Sequence, residues 1–352
     1  MENNNQIDPA LNAKVKKNLL WVSIFSIIMI FAGLTSAYIV SQGSEFWVHF
    51  KMPLALNIST VLIILSSVAL FIARIFIRKN SFGLVKIFLG LALIGGIMFG
   101  YYQFKGWQNL YERGFTVTSP IINQNGKYGQ FYELTYQGKE ISFDNEEFYW
   151  SGQPLSQELS DKMMSFCKQL ETGSSRKNKS GEFQLDNYGT DFVLKYESQP
   201  ISFLNKKMQF NGQDLNPMQL DRLNKFSECM VNGRGDFMMT GKYGKDFTIY
   251  YKGEVLEYKN RTFYLKGKKL TAKQDNDLQG SRNKSSSFIY VFTGIHLAHW
   301  IGGIIALFVI FIRSLRLKYS NENYLGIQLG STYWHFLGIL WIYLYAFLIF
   351  IH

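Results

Sequence analysis

Five apolar stretches without a single Asp or Glu constrain this 352-residue chain more than any other feature. They run roughly over Leu19–Val40, Leu54–Ala73, Phe82–Tyr102, Phe288–Ile312 and Leu325–Ile351. A bilayer crossing needs about 20 apolar residues at 1.5 Å rise each, so every stretch is long enough to span. The polar residues inside them are mainly Ser, Thr, Asn, Gln and His, which bond across helices, and Lys86 lies close enough to an end to snorkel. The mean hydropathy of −0.04 is therefore an average over unlike parts. A single soluble globule is excluded.

Charge supplies the orientation. Of 37 basic residues, 25 fall within 107–286, together with 22 of the 26 acids, so that middle is nearly balanced. Outside it, Lys14, Lys16, Lys17, Arg74, Arg78, Lys79, Lys86, Arg313, Arg316 and Lys318 share one face if the spans alternate. Only Lys51 and Lys105 fall on the other face. The excess of basic residues in short cytoplasmic loops places the N-terminus inside, with the middle segment and the C-terminus outside. The first stretch is too long for a signal-peptide core and has no obvious cleavage site, which predicts a retained first helix.

The middle segment carries a threefold self-similarity. TYQGKEISFDNEEFYWSGQPL (135–155), KYESQPISFLNKKMQFNGQDL (195–215) and YYKGEVLEYKNRTFYLKGKKL (250–270) align without gaps at offsets of 60 and 55. Tyr136, Tyr196 and Tyr251 match, as do Asn145, Asn205 and Asn260, then Gly152, Gly212 and Gly267, then Leu155, Leu215 and Leu270. A Tyr-Gly pair opens each segment, at 128–129, 188–189 and 243–244. Short runs of Tyr, Phe and Ile between Gly, Asn and Asp predict a three-strand meander in each. Helices are predicted over 155–170 and 215–230, where Leu159, Met163, Phe166 and Leu170, and likewise Leu220, Leu223 and Phe226, share a face. The third segment shows no such helical pattern after Leu270 and reads as truncated. The stretches 173–181 and 281–287 read as linkers.

The expected fold is an all-α polytopic membrane protein with an inserted α+β domain of three repeated β-meander/helix units. Residues 1–107 hold spans one to three, 108–284 the insert, and 285–352 spans four and five.

Cys167 and Cys229 are the only cysteines and sit late in the two predicted insert helices. A disulfide and two separately buried thiols are both open readings, since sequence does not supply the Cα separation. Arg234-Gly235-Asp236 spells an adhesion tripeptide, discounted because three residues recur by chance. His296, His299 and His335 lie in the last two spans, the first two on similar faces of one helix. Three histidines can hold a metal or haem, but without a nearby carboxylate or cysteine, interhelical bonding and lipid contact are favoured. No phosphate-cradling loop, dinucleotide fingerprint or CxxC pair is present. The balanced charge of the outward insert argues against nucleic acid.

Thr293-Gly294-Ile295-His296-Leu297-Ala298-His299, with Gly303 beyond, resembles the T-G-x-H-x-x-H-x-x-x-G helix of the haem–copper oxidase subunit III family. Tyr333-Trp334-His335-Phe336, followed by Trp341, resembles that family's last helix. Gln103 to Trp107 and Phe31 to Tyr38 are similar to the ends of two further family helices. The resemblance covers the two ends of the chain and none of 108–284. It departs at Ile27 and Gly338, where many members carry a carboxylate, and at Leu297, where the family has Gly.

The resemblance implies a bacterial inner-membrane subunit of cytochrome c oxidase with no catalytic residue or cofactor of its own. Haem and copper are expected in partner subunits I and II, and bound phospholipid in this one. Thr293, Gly294, His296, His299, Gly303, Trp334 and His335 become helix-packing or lipid-contact residues. The insert is expected to dock cytochrome c or another periplasmic electron-transfer subunit. Alternatives are a membrane-anchored periplasmic module outside any oxidase, subunit III of a quinol oxidase, and a haem- or metal-binding protein using the three histidines.

Overall fold

The structure, a computed structural model, describes residues 9–144, 147–178, 181–320 and 323–352. Those residues divide into two compact units, one formed from the described parts of 9–44, 51–112 and 285–352 and the other from those of 45–50 and 113–284.

The first unit is entirely helical. It comprises α1 (Pro9–Ser44), α2 (Leu54–Arg78), α3 (Phe82–Glu112), α7 (Lys284–Leu315) and α8 (Leu325–Phe350). Each is long and apolar enough to cross a membrane, making this a multi-pass membrane protein. Their large side chains are distributed as lipid solvation demands: Val22, Phe71, Ile94, Phe308 and Ile339 point outward, while Phe31, Phe99, Trp334 and Trp341 are buried. The stretch 281–287 is not a linker throughout, because α7 begins at Lys284 and Ser285 and Ser286 are buried.

The second unit is α+β. Its first segment forms β2 (Tyr132–Tyr136), β3 (Lys139–Asp144), β4 (Glu147–Trp150), β5 (Gln153–Pro154) and α4 (Gln157–Ser174). The next forms β6 (Phe192–Tyr196), β7 (Gln199–Pro200), β8 (Ser202–Leu204), β9 (Lys207–Phe210), β10 (Gln213–Asp214) and α5 (Pro217–Val231). The last forms β11 (Phe247–Tyr251), β12 (Glu254–Lys259), β13 (Thr262–Leu265), β14 (Lys268–Lys269) and α6 (Ala272–Gly280). Each meander therefore gains a short closing strand that its pattern did not suggest. The third segment also ends in a helix after all. Thr271 and Gln274 form a capping box at its start, but Leu278 is its single buried residue, so no apolar periodicity announces it.

The same local devices recur. The Tyr128, Tyr188 and Tyr243 hydroxyls donate to the carbonyls of Ile141, Ile201 and Leu256 at 2.6, 2.6 and 2.7 Å. Each also accepts from the amide of Leu134, Leu194 or Ile249, at 2.9, 3.3 and 3.3 Å. Ser156, Asn216 and Thr271 cap the three helices. The aligned glycines 152, 212 and 267 sit at φ +79°, +78° and +75° in two-residue hairpin turns, a conformation only glycine adopts freely. Asn145, aligned with Asn205 and Asn260, lies outside the described residues.

Strands β2 and β6 pair antiparallel about Leu134↔Leu194, positions that align in sequence, so the first two segments meet about a local two-fold axis. In the third segment the corresponding strand β11 pairs about Ile249↔Val48. Its partner is β1 (Phe46–Phe50), which comes from the short connection between α1 and α2. The strand order β1-β11-β12-β13-β14 thus joins residues about 200 apart in sequence.

Cys167 and Cys229 are buried free thiols rather than a disulfide. The offset of 60 aligns Cys167 with Ser227, two residues from Cys229, and two helical positions turn about 200°. Cys229 accordingly faces the loop, its sulfur 3.2 Å from Asn123 Nδ2. Burial pushes the Cys167 thiol up to about 12 and the Cys229 thiol up to about 11.

Asp236, the last residue of the tripeptide, is buried and takes Arg261 Nε at 2.8 Å and Nη2 at 2.5 Å on its two oxygens. The Tyr258 hydroxyl donates to the same carboxylate. Arg261 also reaches the Tyr128 carbonyl at 2.8 Å, linking the first and third segments. An adhesion role is excluded because the carboxylate is enclosed.

Candidate functional site

Of the family-like residues of α7 and α8, His296, Trp334 and Trp341 are buried inside the helical unit. His296 is 1% exposed, and its Nε2–H donates to the Leu337 carbonyl of α8 at 3.1 Å. Its ring lies 5.2 Å from that of Trp341 and 5.8 Å from that of Phe99. An imidazole so enclosed and bonded to backbone is a helix-packing group. No set of three or more His, Cys, Asp or Glu that could hold a metal occurs among the described residues.

Four indoles tie the helices together in pairs. Trp334 donates to Ser66 Oγ of α2 at 3.0 Å, and Trp341 to Thr60 Oγ1 of the same helix at 2.9 Å. Trp300 of α7 donates to the Gly96 carbonyl of α3 at 3.0 Å, and Trp107 of α3 returns a bond to Thr293 Oγ1 at 2.9 Å. Trp334 and Trp341 are buried and Trp107 and Trp300 half-buried, and each finds its single donor a partner, as helices in lipid require. Thr293 is thus a hydrogen-bonding link as well as a small residue.

Glycine use differs from the sequence expectation. A Cβ at Gly303 would lie 2.9 Å from Leu337 and 3.1 Å from Trp334, so close approach there is real. Gly294 has open space at the same test and permits no approach. Tighter contacts are made at Gly330 of α8, where a Cβ would meet Ile310 at 2.2 Å, and in α3, where one at Gly96 would meet Trp334 at 2.7 Å and one at Gly100 would meet Trp300 at 2.4 Å. Gly96 and Gly100 form a G-x-x-x-G pair, the signal by which sequence could have found them.

His299 and His335 look outward from this core into two grooves. His299 Nδ1–H donates to its own helix at the Ile295 carbonyl, 2.8 Å away, which leaves Nε2 as the acceptor. It lines a groove of about 780 Å³ with Leu20, Ser23, Ile27, Gly302 and Tyr333. His335 lines a smaller apolar groove of about 360 Å³ between α2 and α8, beside Ser67, Phe71, Gly338 and Ile339. Its Nε2 is buried without a partner among the described residues. The three histidines therefore do not share one centre. A contact that sequence did not suggest closes the bundle elsewhere: the buried Tyr38 hydroxyl lies 2.6 Å from His352 Nδ1.

The two positions where a carboxylate is absent are built for other side chains. Ile27 packs with Phe31, Leu340 and Leu344, and a Cβ at Gly338 would lie 3.1 Å from Ser67 Oγ.

Residues 277–352 match the family model of cytochrome c oxidase subunit III. The match is confined to that stretch, and the rest of the chain lies outside it. Cytochrome c oxidase subunit 3 of Patiria pectinifera is 38% identical over 60 residues, 17% of this chain and 23% of the relative. The subunits of Hippopotamus amphibius and Equus caballus are each 36% identical over 60 residues, with the same coverage. The chain thus covers 23% of the length of these relatives. No solved structure matches it. The matched segment contains His296, His299, Trp300, Gly303, Trp334, His335 and Trp341, and so coincides with the imidazole and indole packing described above.

Proposed function

We propose that this chain is a subunit III-like, non-redox component of a respiratory cytochrome c oxidase in a bacterial plasma membrane. It supports the oxygen-reducing subunit I by helix packing and bound phospholipid, with haem and copper carried by partner subunits I and II. The observation that carries this reading is the coincidence of the family match with the hydrogen bonds by which His296 and Trp334 tie α7 to α8 and α8 to α2. The groove lined by His299, Gly302 and Tyr333 is the phospholipid site in this reading.

The N-terminus is cytoplasmic, and the insert and C-terminus face the periplasm. The pairing of β1 with β11 supports that topology, since it requires the connection after α1 and the segment after α3 to lie on one side. The recurring Tyr hydrogen bonds and helix caps support descent of the three insert segments from one repeated unit. That unit docks cytochrome c or another periplasmic electron-transfer subunit.

Affinity purification of the full chain in mild detergent tests the assignment. Haem–copper subunits and their optical spectrum should copurify in stoichiometric amount. Recovery of the chain without them would establish the second reading, a membrane-anchored interaction module outside an oxidase. Ile27 and Gly338, which leave the subunit III frame without its carboxylates, favour that alternative. If the recovered subunit II lacks a cytochrome c site, the complex is a quinol oxidase.

A further inference from the structure

The sheet of the third insert segment has one face unlike the aligned face of the second. Register places Trp47, Tyr250 and Val255 abreast across β1, β11 and β12, with the His49 ring 4.2 Å from that of Tyr250; Trp47 itself is buried, so the open part of the face begins at Tyr250. Tyr264 and Lys269 continue the same side across β13 and β14. Val255 is 47% exposed. The aligned positions supply an internal control. Where the third segment has Tyr250, Val255, Tyr264 and Lys269, the second has Lys195, Pro200, Gln209 and Asp214. There the face is water-solvated and polar: Lys195 pairs with Glu140 of the first segment at 2.5 Å, and Gln209 bonds Asp214 at 2.8 Å. The fold does not require an aromatic and apolar face at these positions, so another environment accounts for it.

Charge follows the same division. Residues 232–284 hold 12 basic and 6 acidic side chains, whereas 113–231 hold 13 and 15. Lys252 and Lys266 occupy the two hairpin turns at one end of the sheet, and Lys269 lies on the face itself. Chain connectivity identifies what such a face meets. One residue, Glu45, separates β1 from the end of α1, and three separate it from α2. Those three can span at most about 14 Å. Both ends of β1 are therefore held where membrane helices leave the bilayer, and the sheet is continuous with that strand.

We infer that this face, centred on Tyr250, Val255 and Tyr264 with Lys252, Lys266 and Lys269 around it, rests on the headgroup layer of the adjacent leaflet and binds anionic phospholipid. Tyr and His present an apolar body with a polar tip, the residue type that settles at membrane interfaces, and lysines near the surface attract anionic headgroups. Glu257 on this face pairs with Lys259 at 2.5 Å, and Lys266 pairs with Glu254 at 3.1 Å at the turn end of the sheet, which leaves the lysines in excess there through Lys252 and Lys269. The inference needs only the membrane helices and stands apart from the oxidase assignment.

The test uses the full chain in nanodiscs of phosphatidylcholine, with and without phosphatidylglycerol. A nitroxide is placed at Val255→Cys or, for comparison, at the aligned Pro200→Cys; both are exposed, and the native thiols are buried. With phosphatidylglycerol, the label at 255 should show a several-fold higher ratio of oxygen to nickel-chelate collision than the label at 200. Combining Val255→Cys with Lys252→Glu, Lys266→Glu and Lys269→Glu should return that ratio to the value at 200. Equal chelate access at both sites in both discs overturns the proposal. An unchanged ratio in the triple variant overturns the anionic specificity. Shielding of 255 only when another protein copurifies assigns the face to a protein partner instead.

Discussion

Replacing Asp236 with alanine should loosen the third insert segment without disturbing the membrane helices. The carboxylate is 6% exposed and holds both Arg261 and the Tyr258 hydroxyl. Breaking one partner out of a buried ion pair costs about 3–5 kcal/mol, because the other charge stays behind unpaired. Arg261 is 32% exposed and can turn partly to water, which moves the expectation to the low end, about 3 kcal/mol. At 1.4 kcal/mol per factor of ten, that is roughly a hundredfold in the local opening equilibrium. Hydrogen exchange of the full chain in detergent reads this directly. Amides of β12 and β13 should exchange about a hundredfold faster, while those of α7 and α8 stay unchanged. Glu257→Ala, which removes an exposed pair with Lys259, should leave the same amides nearly as they were. Adding Arg261→Ala to Asp236→Ala should restore part of the loss, since the stranded charge is then gone. If Asp236→Ala and Glu257→Ala behave alike, the account of the Asp236–Arg261 pair as the tie within the third segment is wrong.

Tyr128→Phe, Tyr188→Phe and Tyr243→Phe should each destabilise their own segment by about 1–3 kcal/mol, as each leaves a backbone amide and carbonyl unpaired; exchange within 132–143, 192–203 and 247–258 measures it. Gly100→Val should disrupt α3 against α7, because a Cβ would lie 2.4 Å from Trp300, while Gly294→Ala should be silent; thermal aggregation in detergent ranks the two. Cys167 and Cys229 should resist maleimide at pH 7 and react on unfolding. Their folded values of about 12 and about 11 lie above that of an unfolded thiol near 9. The stability they contribute is therefore full below about pH 9 and is lost as pH rises through the folded values, when the unfolded chain ionises first. Unfolding of the insert followed from pH 7 to 11 checks the sign.

The helical frame was legible in the sequence because a membrane span is a local property: twenty apolar residues announce it without reference to any partner. The turns of the insert were legible for a similar reason, since Gly152, Gly212 and Gly267 mark backbone that no other residue adopts freely. What escaped was non-local or carried by a single residue. Helix α6 shows one apolar side chain inward, too few to make a period. Strand β1 is five residues between two spans, and nothing near it in sequence announces a partner 200 positions away. The site divides in the same way. His296 of the family motif lies buried against α8, whereas Gly294 of the same motif has open space beside it and the close approaches at Gly96, Gly100 and Gly330 fall outside the motif.

Strand β1 also sets a schedule for making the protein. Phe46 leaves the ribosome about 200 residues before Tyr251, the residue it pairs with. At roughly 5–20 residues per second, β1 waits about 10–40 s between two newly inserted helices before its partner exists. During that interval Phe46, Trp47, Val48 and Phe50, all buried at the end, have no β11 to cover them. The first strand synthesised is thus completed by the last segment of the insert to emerge, and premature release or truncation before residue 251 leaves a membrane-tethered sticky edge rather than a smaller working protein.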